Sequence, residues 1–223
     1  MHPFPRVNSF QELIDTPFYG EANAICWSRK LKGDFSEIVN KLRLKENITE
    51  ISQEELLALK LTEQGKLARK ILINDIKLLR NQGASPSLNL LKCYEKDDGF
   101  FPTDVYSFHV DRSPIPTHTF LCTYYGEPSE IVANTEARQK ILNPEIRTEL
   151  KKIHSGSEDT FEEFLKEYFF DLHYETKPNA DIINLGVGNL WRLAVDHPKS
   201  KVLPCIHRAP QEKDGKIRLL LIC

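Results

Sequence analysis

His109-Val110-Asp111 places an imidazole and a carboxylate two positions apart. Side chains alternate along a strand with period two, so on a strand both groups point to the same side. One histidine and one carboxylate are two-thirds of the facial arrangement that holds non-haem Fe(II). The third ligand must come from elsewhere in the chain. Taken alone, H-x-D is equally compatible with a hydrogen-bonded surface pair.

The C-terminal stretch adds two residues to this set. His207 closes the apolar run V-L-P-C-I-H and is followed by Arg-Ala-Pro. Arg218 stands inside I-R-L-L-L-I-C. A guanidinium flanked by Ile217 and Leu219 needs an anion, because a buried charge must be paired. That anion is a ligand or a carboxylate of the protein; an edge strand with the guanidinium in water is the third option. Asp214-Gly215 is a hairpin signal. A two-residue turn there pairs Gln211 with Arg218 and His207 with Ile222. His207 and Arg218 then share a face, about 13 Å apart along the strand. A longer loop that includes Ala209-Pro210 brings them closer.

Residues 1–86 read as helical. Ser9-x-x-Glu12 and Ser52-x-x-Glu55 are capping-box patterns. Ile38, Val39 and Leu42 have helical spacing, as do Leu67, Ile71, Leu72, Ile76, Leu78 and Leu79 up to Gly83. From Ser87 the pattern turns to strands, with Leu88–Tyr94, Val105–Asp111 and Thr117–Tyr125 as the first three. A helical insertion over 135–173 follows. Strands return over Asp181–Val195, Lys201–His207 and Ile217–Cys223. Helices, then strands, then a helical insertion, then strands is an α+β order. The expected division is a helical N-terminal layer, 1–86, and a metal-binding β domain, 87–223.

Composition narrows the function classes. The 223 residues carry 30 Lys and Arg against 32 Asp and Glu, a net charge of −2. No phosphate backbone is the expected partner of such a chain. Mean hydropathy is −0.41, and no apolar run approaches the length of a membrane span. The first ten residues lack the apolar stretch of a secretory signal. Five cysteines without C-x-x-C suggest reduced thiols and a cytoplasmic location. Gly186-Val187-Gly188 is not a dinucleotide motif, since Trp191 stands where the third glycine belongs. There is neither a Walker loop nor a G-x-S-x-G elbow.

H-x-D, a distant His and an Arg about ten residues later resemble the Fe(II)/2-oxoglutarate-dependent dioxygenases. The stretches F-H-V-D, L-C-T-Y-Y-G-E-P-S-E and I-H-R-A-P are also similar to a bacterial family of unknown function. Its pattern is H-x-D, C-T-Y-x-G and H-R-[AS]-P. The resemblance covers about residues 88–223. It implies a double-stranded β-helix, the cupin-like jelly roll, with N-terminal helices packed on it. It also implies iron on His109, Asp111 and His207, and the far carboxylate of 2-oxoglutarate on Arg218. Many members carry Ser or Thr two residues after that Arg. Here Leu220 stands there, so Thr123, Tyr124 or another residue must supply the second donor. Tyr124 is the cosubstrate-contact candidate. Trp191 and Tyr106 read as core or pocket wall, and His118 as a cross-strand hydrogen-bonding residue. His2, His154, His173 and His197 read as solvated.

The expected function is an oxygenase acting on an unidentified small molecule or protein. The alternatives are a metal sensor or store on the same fold and an inactive interaction protein. Arg218 separates the first from the second, because a pure metal binder has no need of it.

Overall fold

The structure is a computed structural model and describes residues 4–211 and 215–223. Asp214 of the expected hairpin signal lies outside the described residues, as does His2. Capping chemistry starts the N-terminal helices where the sequence places it. Ser9 accepts from the Glu12 N–H at the start of α1 (Phe10–Asp15), and Asp34 does the same for α2 (Phe35–Lys41). Ser52 and Glu55 form a reciprocal capping box on α3 (Gln53–Ala58). Thr62 caps α4 (Glu63–Asn81), and Gly83 follows it at φ +79°, a backbone conformation that favours glycine. The apolar stripe of α4, with Leu72, Ile76 and Leu79, is buried against the first sheet. At such positions Leu→Ala costs about 2–5 kcal/mol.

The first 86 residues are not helical alone. They also supply β1 (Arg6–Val7), β2 (Ala24–Trp27) and β3 (Ile48–Glu50). These strands are too short to show a period, and β2 is almost wholly buried, so no alternation marks it. The remaining strands are β4 (Ser87–Leu91), β5 (Phe108–His109), β6 (His118–Tyr125), β7 (Glu130–Val132), β8 (Ala137–Gln139), β9 (His173–Thr176), β10 (Ile183–Asn184), β11 (Leu190–Ala194), β12 (Ile206–Arg208) and β13 (Arg218–Ile222). Together they make an α+β protein with two β-sheets.

The first sheet runs β1-β2-β11-β6-β13-β4-β3 and the second β10-β7-β12-β5-β9-β8. From β4 to β7 the chain alternates between the sheets, and it does so again from β10 to β13. The expected hairpin therefore does not form: β12 and β13 belong to different sheets. His207 pairs with His109 and Ile131, and Arg218 pairs with Leu91. A turn signal reports a reversal, but it does not report which sheet receives the next strand.

One core lies between the helices and the outer face of the first sheet. Another, with Leu121, Trp191, Leu193 and Leu220 facing Ile131 and Cys205, lies between the sheets. The insertion holds α5 (Pro144–Ile153) and α6 (Phe161–Glu167), but β8 and β9 at its edges widen the second sheet. Gly186 and Gly188 are not strand residues. They take φ of +75° and +85° in the turn before β11. No helix among the described residues is long and apolar enough to cross a membrane.

Candidate metal centre

The second sheet positions the site through its alternation. Phe108 and Val110 pack outward with Val132, Leu172 and Ile206. His109 and Asp111, one position out of phase, turn inward toward the first sheet. His207 stands directly across from His109 in the ladder, so its imidazole takes the same face. Asp111 lies just past β5, where its carbonyl accepts from the Asp196 N–H.

One nitrogen or oxygen from each of His109, Asp111 and His207 lies within 4.8 Å of the others. The two imidazoles are 4.5 Å apart by ring centroid, and His207 Nε2 is 3.7 Å from Asp111 Oδ2. The outer nitrogens are occupied. His109 Nδ1 lies 2.8 Å from the Ser107 carbonyl and His207 Nδ1 3.1 Å from the Cys205 carbonyl. A carbonyl only accepts, so each neutral ring carries its proton on Nδ1 and leaves an Nε2 lone pair toward the cluster. Thr119 donates its hydroxyl to Asp111 Oδ2 and fixes the carboxylate.

Charge states follow from position. Burial, then the nearby His207, pushes the His109 imidazole down to about 4. Burial works to raise the Asp111 carboxyl, but His207, the Thr119 hydroxyl and His109 outweigh it and hold it below its usual range. At neutral pH the cluster therefore presents a neutral imidazole at His109 and an anionic carboxylate, the forms that bind a divalent ion. The His207 side chain is buried and that of Asp111 is about 37% exposed, so the cluster opens to solvent on the Asp111 side.

Arg218 is buried at the start of β13 on the face that also presents Leu220, and donates to the Ser129 hydroxyl at 3.0 Å. It lines a narrow cavity of about 20 Å³ with Tyr94, Tyr106, Glu127 and Lys216. None of the three clustered ligands lines that cavity. Tyr106 is thus a pocket wall, and Trp191 is core, its indole N–H donating to the Leu185 carbonyl.

Tyr124 does not reach the site. It faces the helices, stacks on Phe35 and donates to Asp75 Oδ2 at 2.6 Å. Thr123, one residue earlier, faces the sheet interior and pairs with Leu220 in the ladder. Its hydroxyl is buried and has no hydrogen-bond partner among the described residues. Of the two donors offered by the sequence, alternation selects Thr123.

His173 is the residue the sequence reading missed. It is buried on β9, pairs with His109 in the ladder, and its ring lies 5.7 Å from that of His109. His173-Tyr174-Glu175-Thr176 has the aromatic and Thr content of a strand, and that was the available signal. The His118 side chain makes no cross-strand hydrogen bond among the described residues. It packs edge-on against Phe18, and its Nδ1 is buried with no partner among them. No protein-family model matches the chain, and no curated protein or solved structure matches it.

Proposed function

We propose that the protein is an Fe(II)/2-oxoglutarate-dependent oxygenase on a double-stranded β-helix. The observation that carries this reading is the convergence of His109, Asp111 and His207 on one inward face of the second sheet. The alternation of β4–β7 and β10–β13 between two sheets supports the jelly-roll reading.

The donor set fits a first-row divalent ion: two imidazole lone pairs and one carboxylate, with tautomers set by backbone carbonyls. Bound there, Fe(II) with 2-oxoglutarate and dioxygen supplies an oxidation in which one oxygen enters a substrate C–H bond and the other converts the 2-oxo acid to succinate and CO₂. The chain's own residues hold and orient. Ser107 and Cys205 carbonyls fix the two imidazoles, and Thr119 fixes Asp111. Arg218 is the candidate for the far carboxylate, since a guanidinium offers two parallel donors. The Ser129 and Thr123 hydroxyls lie on the same interior side and extend that donor set.

One observation favours the metal sensor or store instead. Arg218 already bonds to Ser129, and the cavity it lines excludes the three ligands. Calorimetry of 2-oxoglutarate into the anaerobic Fe(II) protein separates the two. The oxygenase reading expects binding that weakens about thirtyfold in Arg218→Ala, with Fe(II) affinity retained. Iron binding without 2-oxoglutarate binding makes the protein a metal binder. An iron titration unchanged by His109→Ala removes the metal centre altogether.

A further inference from the structure

Beside α1, the outer face of the first sheet carries a cleft of about 370 Å³. It is separate from the metal centre, none of whose ligands lines it. Its basic lining is Arg192, Lys199 and Lys201 with the imidazoles of His118 and His197, and no described residue lining it is acidic. Lys199 and Lys201 are exposed, and neither forms an ion pair among the described residues.

Arg192 is the informative group. It is 6% exposed. Its two terminal nitrogens donate to the Ile14 and Thr16 carbonyls at the end of α1, and its guanidinium lies over the Phe18 ring. Its Nε has no acceptor among the described residues. Carbonyls and an aromatic face satisfy donors, but they do not neutralise a buried cation.

The two histidines also present donors. His197 Nδ1 accepts from the Lys199 backbone N–H, so the neutral ring carries its proton on Nε2. His118 Nδ1 is buried with no partner among the described residues, and a lone pair is less costly to orphan than an N–H. Its proton therefore also belongs on Nε2. Cationic side chains and two imidazoles line a space whose other walls are mostly apolar, with Ile14, Phe18, Pro116, Val195 and Val202 beside Thr16 and Ser200.

We propose that this cleft binds a small molecule with a phosphate-type oxyanion head and a compact apolar body. Asp15 acts on Arg192 from nearby, but no carboxylate among the described residues pairs directly with Arg192, Lys199 or Lys201. The anion supplies that direct counter-charge, and the apolar walls take the body.

Phenyl phosphate titrated into the metal-free full-length chain, followed by imidazole proton shifts, tests this. Saturable binding that moves the His118 and His197 resonances is expected. Benzyl alcohol, with the same ring and no charge, should bind at least about tenfold more weakly. The surface double variant Lys199→Gln/Lys201→Gln should lose about tenfold in phenyl phosphate affinity without a folding defect. His109→Ala should leave it unchanged, so a failed metal centre and a failed cleft give different results. Absence of saturation, equal binding of benzyl alcohol, wild-type affinity in the double variant, or loss of binding in His109→Ala each overturns the proposal.

Discussion

Two polar clusters flank the first sheet, one on each side, and they are finished differently. On the helix side, Arg29 donates to both Asp75 oxygens and to the Gly188 carbonyl, and Tyr124 donates to Asp75. Each charged group there meets a counter-charge, and the arrangement is closed. On the inner side, His109 and His207 meet backbone carbonyls through Nδ1, and Asp111 Oδ2 accepts from Thr119 while lying 3.7 Å from His207 Nε2. Their remaining donor atoms face one another without filling the space between. A closed cluster fixes packing, whereas an open one leaves donor atoms that could hold a group from outside.

The largest effect expected from this contrast lies in the closed cluster. Asp75→Ala leaves Arg29 buried and unpaired beside Tyr124, a loss of about 3–5 kcal/mol. Urea unfolding measures it. A wild-type midpoint for Asp75→Ala erases the distinction between the two clusters.

The open cluster should answer to metal instead. His207→Ala is expected to weaken Fe(II) binding at least about 100-fold, or about 2.7 kcal/mol. The metal-free protein should lose about 1–3 kcal/mol, because the Cys205 carbonyl loses its donor and Asp111 loses its neighbouring imidazole. Paired iron titrations and urea curves check both halves. A large stability loss with unchanged iron affinity reverses the roles assigned to the two clusters.

The sequence carried this contrast unevenly. The candidate ligand pair was legible because period two follows from covalent geometry alone: His109 and Asp111 share a face in extended backbone. The capping boxes were legible for the same local reason. The orientation of Tyr124 was not, because nothing in T-H-T-F-L-C-T-Y-Y says which of its two faces meets the helices. His173 was missed because it follows a helix and its strand is four residues long. The separation of β12 from β13 and the recruitment of β2 into the first sheet depend on pairings across roughly seventy to 170 residues. No local pattern encodes those pairings.

A third class of group, buried and unfinished but away from the metal ligands, sharpens the comparison through pH. His118 is pushed down to about 4, first by burial and then by Arg192. Its ordinary value is about 6.5. The unfolded chain therefore binds a proton that the folded chain refuses between those values. Stability is full above about pH 6.5 and falls as pH drops toward 4. With its partial exposure discounted, this amounts to about 1–2 kcal/mol. The urea midpoint of wild type should fall relative to that of His118→Gln as pH drops across this range. Parallel pH curves remove His118 from the account.

The smallest expected effect is the most discriminating between function and packing. Thr123 carries a buried hydroxyl with no hydrogen-bond partner among the described residues, on the interior side with Arg218. An orphaned hydroxyl costs about 1 kcal/mol or more, and a methyl of the same shape removes that cost. Thr123→Val should therefore stabilise the ligand-free protein by about 1 kcal/mol. If the hydroxyl exists to meet a carboxylate, the same change should weaken 2-oxoglutarate binding by about three- to tenfold. Fe(II) affinity should not move, because Thr123 lies outside the ligand set. Opposite signs in stability and cosubstrate affinity mark a residue kept for a ligand. A gain in stability with unchanged 2-oxoglutarate affinity assigns Thr123 to packing, and leaves Ser129 as the hydroxyl beside Arg218.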